Sequence, residues 1–353
     1  MFLAIKEIFY HRGRYRLVVA VVFLITYMVF FLSSLSVGLA RLNRLALDNW
    51  QASSVVLSEY ANNNLTASTL SETDYKAYLT KENIAELGQM AVVASQEGKA
   101  KKVNAQVFGL TEDSFLAPPI VAGRKAQEFG ELVADKSIEQ KGLALGDTIQ
   151  LNGSKKTYKI VGFTQNNSFF TQPVLFMSLD DLRELKYGSA KVKNSSLLVV
   201  KDQEKISGQG LKQISLATLI KNIPGYQAQV LTFSFMIGAM VVITALVLGI
   251  FIYIITIQKI HLYGIMRAQG ISSRTIIASI FWQIFILVSL GMGLAMLMLV
   301  VTQQFLPASM PFYSDWQAYA LLTLVMLLMS LLGGFLSIHK VSKIDPIVAI
   351  GGD

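Results

Sequence analysis

Four stretches of this chain carry no Asp, Glu, Lys or Arg, and each is long enough to cross a bilayer. They run for 24 residues between Arg16 and Arg41, 37 between Lys221 and Lys259, 40 between Arg274 and Asp315, and 24 between Asp315 and Lys340. A spanning helix needs about 20 mostly apolar residues. The sequence therefore predicts an α-helical membrane protein with four transmembrane helices, at 17–40, 230–258, 275–302 and 318–339. The first run is too long for a signal-peptide core, and no small-residue cleavage pattern follows before Arg41, which favours an uncleaved helix. Composition agrees, with 53% apolar residues against 15% charged; soluble domains carry about 25% charged.

Lys and Arg placement sets the expected orientation, since basic residues accumulate in cytoplasmic loops. Residues 1–16 hold Lys6, Arg12, Arg14 and Arg16 against Glu7. The 259–274 loop holds Lys259, Arg267 and Arg274 with no acid, whereas the 303–317 loop holds only Asp315. The 340–353 tail adds Lys340 and Lys343 against Asp345 and Asp353. Both termini and the 259–274 loop are thus expected in the cytoplasm, with 303–317 as a short outer loop. The net charge of +8 follows largely from this bias. No basic patch gathers on a folded domain, so no nucleic-acid partner is expected.

The composition changes at Arg41, where charges, Asn, Ser and Gly appear. Residues 41–229 are long enough for a domain with its own core, here a large extracytoplasmic α+β domain inserted between the first two spanning helices. Strand-like runs lie at 103–110, 131–134, 148–151, 157–163, 173–177 and 196–200, bounded by turn pairs such as Gly146-Asp147 and Asn152-Gly153. Helical stretches are expected at 74–87, 137–141, 179–185 and 209–221. The chain has no cysteine, which excludes disulfides and thiolate metal sites and is compatible with the membrane of a bacterium.

No catalytic constellation is present: no phosphate-binding loop, no H-E-x-x-H, no G-x-S-x-G. No catalytic or metal-ligating residue is predicted. His11, His261 and His339 all fall at the cytoplasmic edges of the spans, where an interfacial role is the ordinary one. No ionisable group lies inside a span, although ion-coupled transporters usually keep one there. Energy for any transport must come from a partner. The small pairs at 291–293 and 333–334 read as packing between the third and fourth helices of one chain.

Two cytoplasmic segments carry a specific likeness. Residues 258–274, Gln-Lys-Ile-His-Leu-Tyr-Gly-Ile-Met-Arg-Ala-Gln-Gly-Ile-Ser-Ser-Arg, resemble the segment after the second helix of FtsX/MacB-like (type VII) ABC transporter permeases. Residues 340–350, Lys-Val-Ser-Lys-Ile-Asp-Pro-Ile-Val-Ala-Ile, resemble their terminal motif. His261 stands where that family usually has Glu. The resemblance implies a non-catalytic permease that forms a homodimer in the bilayer. A separate cytoplasmic ABC ATPase, in two copies, would bind ATP and Mg and drive it by mechanotransmission. It makes 259–274 a coupling helix whose ATPase contacts are His261, Leu262, Gly264, Ile265, Met266 and Arg267. Taken alone, 262–269 is a short amphipathic helix presenting Ile265 and Met266 with Arg267 nearby. That pattern fits a membrane-edge hairpin as well as a plug in a partner's cleft.

Residues 1–16 have the amphipathic spacing of an elbow helix. With 35–41 and 223–229 they resemble the haem-efflux permeases within that family, which implies haem as transported substrate and no intrinsic cofactor. Candidate haem contacts are Tyr27, Met28 and Phe31 on the first helix and Tyr226, Met236 and Met240 at the start of the second. Aromatic rings offer stacking area, and Met or Tyr can ligate iron. The ordinary role for each alone is packing against lipid or a neighbouring helix. Two other readings stay open: export of antimicrobial peptide or lipid and lipoprotein, and an FtsX-type non-transporting regulator of an envelope hydrolase.

Overall fold

A computed structural model describes residues 2–10, 12–96, 101–307 and 310–334. The motif at 340–350, His11, His339 and the end of the fourth expected span fall outside the described residues. The chain divides into two compact units, one made of 1–38 with 231–353 and the other of 39–230. It opens with two helices, α1 (Phe2–Tyr10) and α2 (Arg12–Leu42).

The 39–230 unit is β-rich. Its strands are β1 (Ser54–Ser58), β2 (Ile84–Gln96), β3 (Lys102–Leu110), β4 (Ala122–Gly123), β5 (Glu131–Asp135), β6 (Thr148–Leu151), β7 (Thr157–Thr164), β8 (Ser168–Phe169), β9 (Gln172–Ser178), β10 (Leu197–Val200) and β11 (Leu211–Ser215). Short helices α3 (Leu45–Asp48), α4 (Glu72–Tyr75), α5 (Leu179–Tyr187) and α6 (Leu216–Lys221) interrupt them. The sheet runs β11-β1-β10-β2-β3-β9-β5-β7-β4, with β6 pairing β2 and β7 and β8 pairing β9. The β3–β9 and β5–β7 pairs are parallel, and the other pairs are antiparallel. Ser178 caps α5 by accepting from the Asp181 amide at 3.0 Å, the usual role of serine before a helix. This helix lies against a glycine pair, Gly88 opposite Gly109. A Cβ on Gly109 would sit 2.9 Å from Leu182 Cβ, so the missing side chains let α5 approach the sheet.

Two helix expectations are corrected here. The stretch 74–87 is helical only at its start, and Ile84 already opens β2. Tyr75, Tyr78 and Leu79 have helical spacing, but Ile84–Leu87 pair with β10, and the sheet overrides local propensity. Likewise 209–221 divides into β11, paired along all of β1, and α6, which starts at the Ser215 cap.

After this unit come α7 (Tyr226–Gln258), α8 (Ile260–Ala268), α9 (Ser273–Phe305) and α10 (Trp316–Gly333). By length and composition, α2, α7, α9 and α10 could each cross a membrane. Their shared core takes Val18, Val22 and Val29 from α2, Leu248 and Ile252 from α7, Ile280, Ile284 and Leu287 from α9, and Met326 from α10. These positions recur every three to four residues, one buried stripe per helix. Glycines set the closest approaches. A Cβ at Gly333 would lie 2.2 Å from the Ala245 carbonyl oxygen, and one at Gly249 would lie 2.6 Å from that of Gly333. At Gly291 a Cβ would meet Val22 Cγ1 at 2.6 Å, and Gly334 faces Ile284. Three of the four small residues serve intrachain packing, Gly291 against α2, Gly333 against α7 and Gly334 against α9, while Gly293 has nothing within 4 Å. The expected partners were each other's helices, and only Gly334 meets that description.

Candidate functional site

The α7–α8 corner is built from local signals. Helix α8 ends at Gly270, whose φ of 90° lies in the left-handed region. The Gly270 amide donates to Arg267 O and the Ile271 amide to Met266 O, each at 3.0 Å. That pair of bonds is the glycine stop signal of helices. Ser272 then accepts from the Thr275 amide at 3.3 Å and starts α9. Ala-Gln-Gly-Ile-Ser-Ser thus writes a turn between two helices.

On α8, Tyr263 and Gly264 are buried, while Ile265, Met266 and Arg267 are half-buried. Met266 packs against the helical core. Of the six expected ATPase contacts, His261 and Leu262 are the exposed pair, with Leu262 52% accessible. Of the two residues expected on the presented face, Met266 turns toward the chain's own core and Ile265 stays half-buried; the most exposed apolar position on the helix is Leu262. The helix turns Met266 inward because Ile271, placed beside it by the glycine stop, joins the same core.

Beneath this corner lies a group of side chains that the charge pattern did not single out. Glu7 of α1 accepts from Lys259 Nζ and from Gln283 Nε2 of α9. Lys259 Nζ also donates to the Tyr15 hydroxyl of α2 at 3.2 Å, and Tyr15 donates to Gln283 Oε1 at 3.1 Å. The four side chains form a closed ring. The Tyr263 hydroxyl of α8 also hydrogen-bonds Glu7. Burial first, then the Glu7 charge, hold that hydroxyl well above the ordinary tyrosine range, so it donates. One signal was available: Glu7 is the sole acid before Asp48.

The six candidate haem contacts fall into three settings. Tyr27 stacks between Phe23 and Phe31 at centroid distances of 6.3 and 6.0 Å, and its hydroxyl lies 3.1 Å from Thr302 Oγ1 of α9. Tyr27, Phe31 and Met240 are half-buried against the helical core. Met28 and Met236 are exposed, at 42% and 43%. Tyr226 packs against the core of the β-rich unit, which includes Leu219, Ile220 and Ile223. Among the described residues no three His, Asp or Glu side chains gather as a metal site.

The β-rich unit holds a cavity of about 570 Å³. Its lining includes the apolar Leu110, Ile120, Val133 and Phe176 and the charged Glu86, Asp180, Arg183 and Lys193. Those charges pair among themselves. Arg183 reaches Glu86 at 3.0 Å and Asp180 at 3.2 Å, and Lys193 reaches Asp180 at 2.8 Å. Tyr75 donates to Glu86 at 2.9 Å. The Lys193 hydrogen bond holds Asp180 below the usual carboxylate range, and burial pushes Tyr75 up to about 12.

Comparison with known proteins places the chain. The family model described as FtsX-like permease C-terminal matches residues 234–346. A Staphylococcus haemolyticus protein named "Putative hemin transport system permease protein HrtB" is 30% identical over 355 residues, covering 100% of this chain and 99% of that protein. A Staphylococcus epidermidis protein of the same name is 29% identical over 356 residues, with the same coverage. Among solved structures, the extracellular domain of the noncanonic ABC-type transporter YknZ from Gram-positive bacteria matches at a TM-score of 0.33 and 12% identity. That match covers 43% of this chain and 84% of that one and is too distant to argue from. With one relative aligned end to end at 30% identity and the permease family model over its last three spans, the chain belongs to the HrtB family of FtsX-like ABC transporter permeases.

Proposed function

We propose that this chain is the membrane subunit of an ATP-driven pump that exports haem from the membrane. The observation that carries the reading is the end-to-end identity with permeases named for hemin transport. An ABC permease implies a cytoplasmic ATPase partner, and here two ATPase copies serve a permease homodimer. The Lys and Arg bias supports cytoplasmic termini and a cytoplasmic 259–274 segment, with 41–229 and 303–317 outside. ATP-driven closure of the ATPases presses on α8 through Leu262, with His261 and Arg267 flanking it, and Gly264, Ile265 and Met266 seating α8 on its own bundle. The spanning helices then rock against one another.

Haem is a flat apolar ring with two carboxylates, and it partitions into bilayers. A lateral route past helices suffices for it, which suits spans without ionisable groups. Tyr27 and Phe31 supply stacked rings. Met28 and Met236 supply exposed thioethers, and Met240 and Tyr226 complete the set of contacts. Soft sulfur and phenolate are both known iron ligands.

The test is purification of the chain with its cognate ATPase and titration with haemin. The expected result is a saturable Soret shift and stimulated ATP hydrolysis, with haemin resistance reduced by combined Met28→Ala, Tyr226→Ala and Met236→Ala. No Soret shift, together with unchanged resistance, overturns haem as the cargo. Stimulation by peptides or lipids instead points to export of those compounds. ATPase-dependent activation of an envelope hydrolase, without cargo, points to a regulator.

A further inference from the structure

The ring of Glu7, Lys259, Tyr15 and Gln283 joins four places that are distant in sequence: α1, the residue between α7 and α8, the first turn of α2, and α9. Tyr263 adds α8 itself through its bond to Glu7. We propose that the Glu7 carboxylate is a mechanical joint, locking α1 to the α7–α8 corner and to α9 so that motion imposed on α8 reaches α1, α2 and α9 together. The inference rests on the reading of α8 as the segment an ATPase presses.

Three arguments support it. The first is energetic. The Lys259 and Glu7 side chains are only 9% and 15% accessible. Burying an ion pair is often no better for stability than well-packed apolar residues of the same size. What such a pair does supply is a fixed register. The second is mechanical. Tyr15 and Tyr263 belong to an apolar cluster that also takes in Ile8, Val19, Met266 and Ile276, and apolar attraction is non-directional, so it selects no single register by itself. Hydrogen bonds weaken steeply with distance and angle, so a closed ring has one arrangement and resists shear. The third is position. Lys259 directly precedes α8, and Tyr263 is its buried anchor. A push on α8 cannot bypass Glu7 without breaking charge-assisted bonds, which are about twice as strong as neutral ones.

The experiment uses the full chain with its cognate ATPase in proteoliposomes, comparing Lys259→Met, Glu7→Gln and the swapped pair Glu7→Lys with Lys259→Glu. Two quantities are read: cargo moved per ATP hydrolysed, and the distance between spin labels at Phe9→Cys on α1 and Ala268→Cys on α8, which the cysteine-free background permits. Glu7→Gln, which removes the buried charge itself, is expected to keep assembly and basal ATP hydrolysis while transport per ATP falls about tenfold, the scale of one disrupted buried network. Lys259→Met, which leaves a buried carboxylate without its cation, is expected to lose transport per ATP to the same extent and also to lower the yield of folded chain. The swap should recover part of it. The label distance should stay the same in the ATP-free and ATP-trapped parent and should broaden in Lys259→Met. A purely structural role would lower the amount of folded complex and leave transport per ATP unchanged, and that outcome overturns the joint. So does a parent distance that changes on trapping. If the parent moves no cargo, the pump reading fails, and the label distances still decide whether α1 and α8 move as one body.

Discussion

The β-rich unit and the helical unit both bury charges, but they use them differently. In the β-rich unit Arg183 sits 4% exposed amid Glu86, Tyr75 and Ser195, and its partners come from strands and helix of the same fold. The network closes a core. In the helical unit Glu7 and Lys259 meet at the ends of helices, where one carboxylate ties elements that apolar stripes alone would let slide. The surfaces differ in the same sense. Large exposed apolar side chains in the β-rich unit are scattered singly, as Tyr60, Val93, Val121, Phe129, Leu145 and Val192. On α7 they form a continuous outward run through Val242, Ile243, Leu246, Ile250 and Ile254. One unit satisfies itself in water; the other needs lipid or a second chain around it.

The comparison breaks most visibly at Arg183. Arg183→Met leaves Glu86 buried without its cation and should destabilise the β-rich unit by about 3–5 kcal/mol. Adding Glu86→Gln should recover much of that. Thermal unfolding of the full chain, followed by tryptophan fluorescence from Trp50 in that unit's core, measures both. If the single variant melts within a degree of the parent, the network does not close the core.

Leu262→Asp tests the exposed face of α8. A partner cleft that accepts Leu262 would lose about 2 kcal/mol or more, the scale of an interface hot spot, and co-purification with the ATPase should fall while the chain still inserts. Met266→Asp should behave differently, because it places a carboxylate against the chain's own core and should lower the yield of folded chain itself. Equal behaviour of the two variants would mean that α8 has no distinct outward face.

Gly333→Ala comes next. The added Cβ meets the Ala245 backbone at 2.2 Å, so α7 and α10 must separate, at about 1–3 kcal/mol for overpacking. Gly293→Ala, with nothing within 4 Å, is the matched control and should be neutral. A neutral Gly333→Ala would remove the close crossing from the account of the bundle.

These sites differ in how far the sequence announced them. The four apolar helices were legible because a charge-free run of more than 20 residues has few alternatives. Strand β6 was legible because Gly146-Asp147 and Asn152-Gly153 bracket it. Strand β1 escaped notice because Ser-Val-Val-Leu-Ser is too short for periodicity to speak, and its identity comes from β10 and β11 on either side. The ring ladder Phe23, Tyr27, Phe31 follows from four-residue spacing alone. The inward turn of Met266 does not, since it depends on which side of α8 the bundle occupies. Least legible was the Glu7 joint, whose bonds to Lys259 and Gln283 span 252 and 276 residues. No local pattern links residues so far apart. The charge bias that sets the expected orientation reads Glu7 and Lys259 only as members of a tally.

The smallest effect is expected at Glu131, which anchors a segment lining the β-rich unit's cavity. Arg124 Nη1 donates to its Oε2 at 2.6 Å, and the Gln127 and Glu128 amides donate to the same oxygen at 3.1 and 3.3 Å. The Arg124 hydrogen bond is the main cause that lowers this carboxyl to about 2 from the ordinary 4.5, with the two amides adding to it. The folded value is depressed, so the stabilisation is fully present above about pH 4.5 and is lost as pH falls toward about 2. Arg124 is half exposed, so water and salt screen the pair and the contribution is modest. The same carboxylate holds the 124–128 segment, whose Lys125, Ala126, Gln127 and Glu128 line the cavity. Acid should therefore loosen that segment before it unfolds the sheet, whose core is apolar. Glu131→Gln should lower the melting temperature slightly near neutral pH, with the gap from the parent shrinking as pH falls through about 4 to about 2. Hydrogen exchange at 124–130 should rise in the variant at neutral pH and in the parent only in acid. A gap that stays constant with pH would show that the side chain acts by its shape alone and that the segment carries no charge-dependent latch.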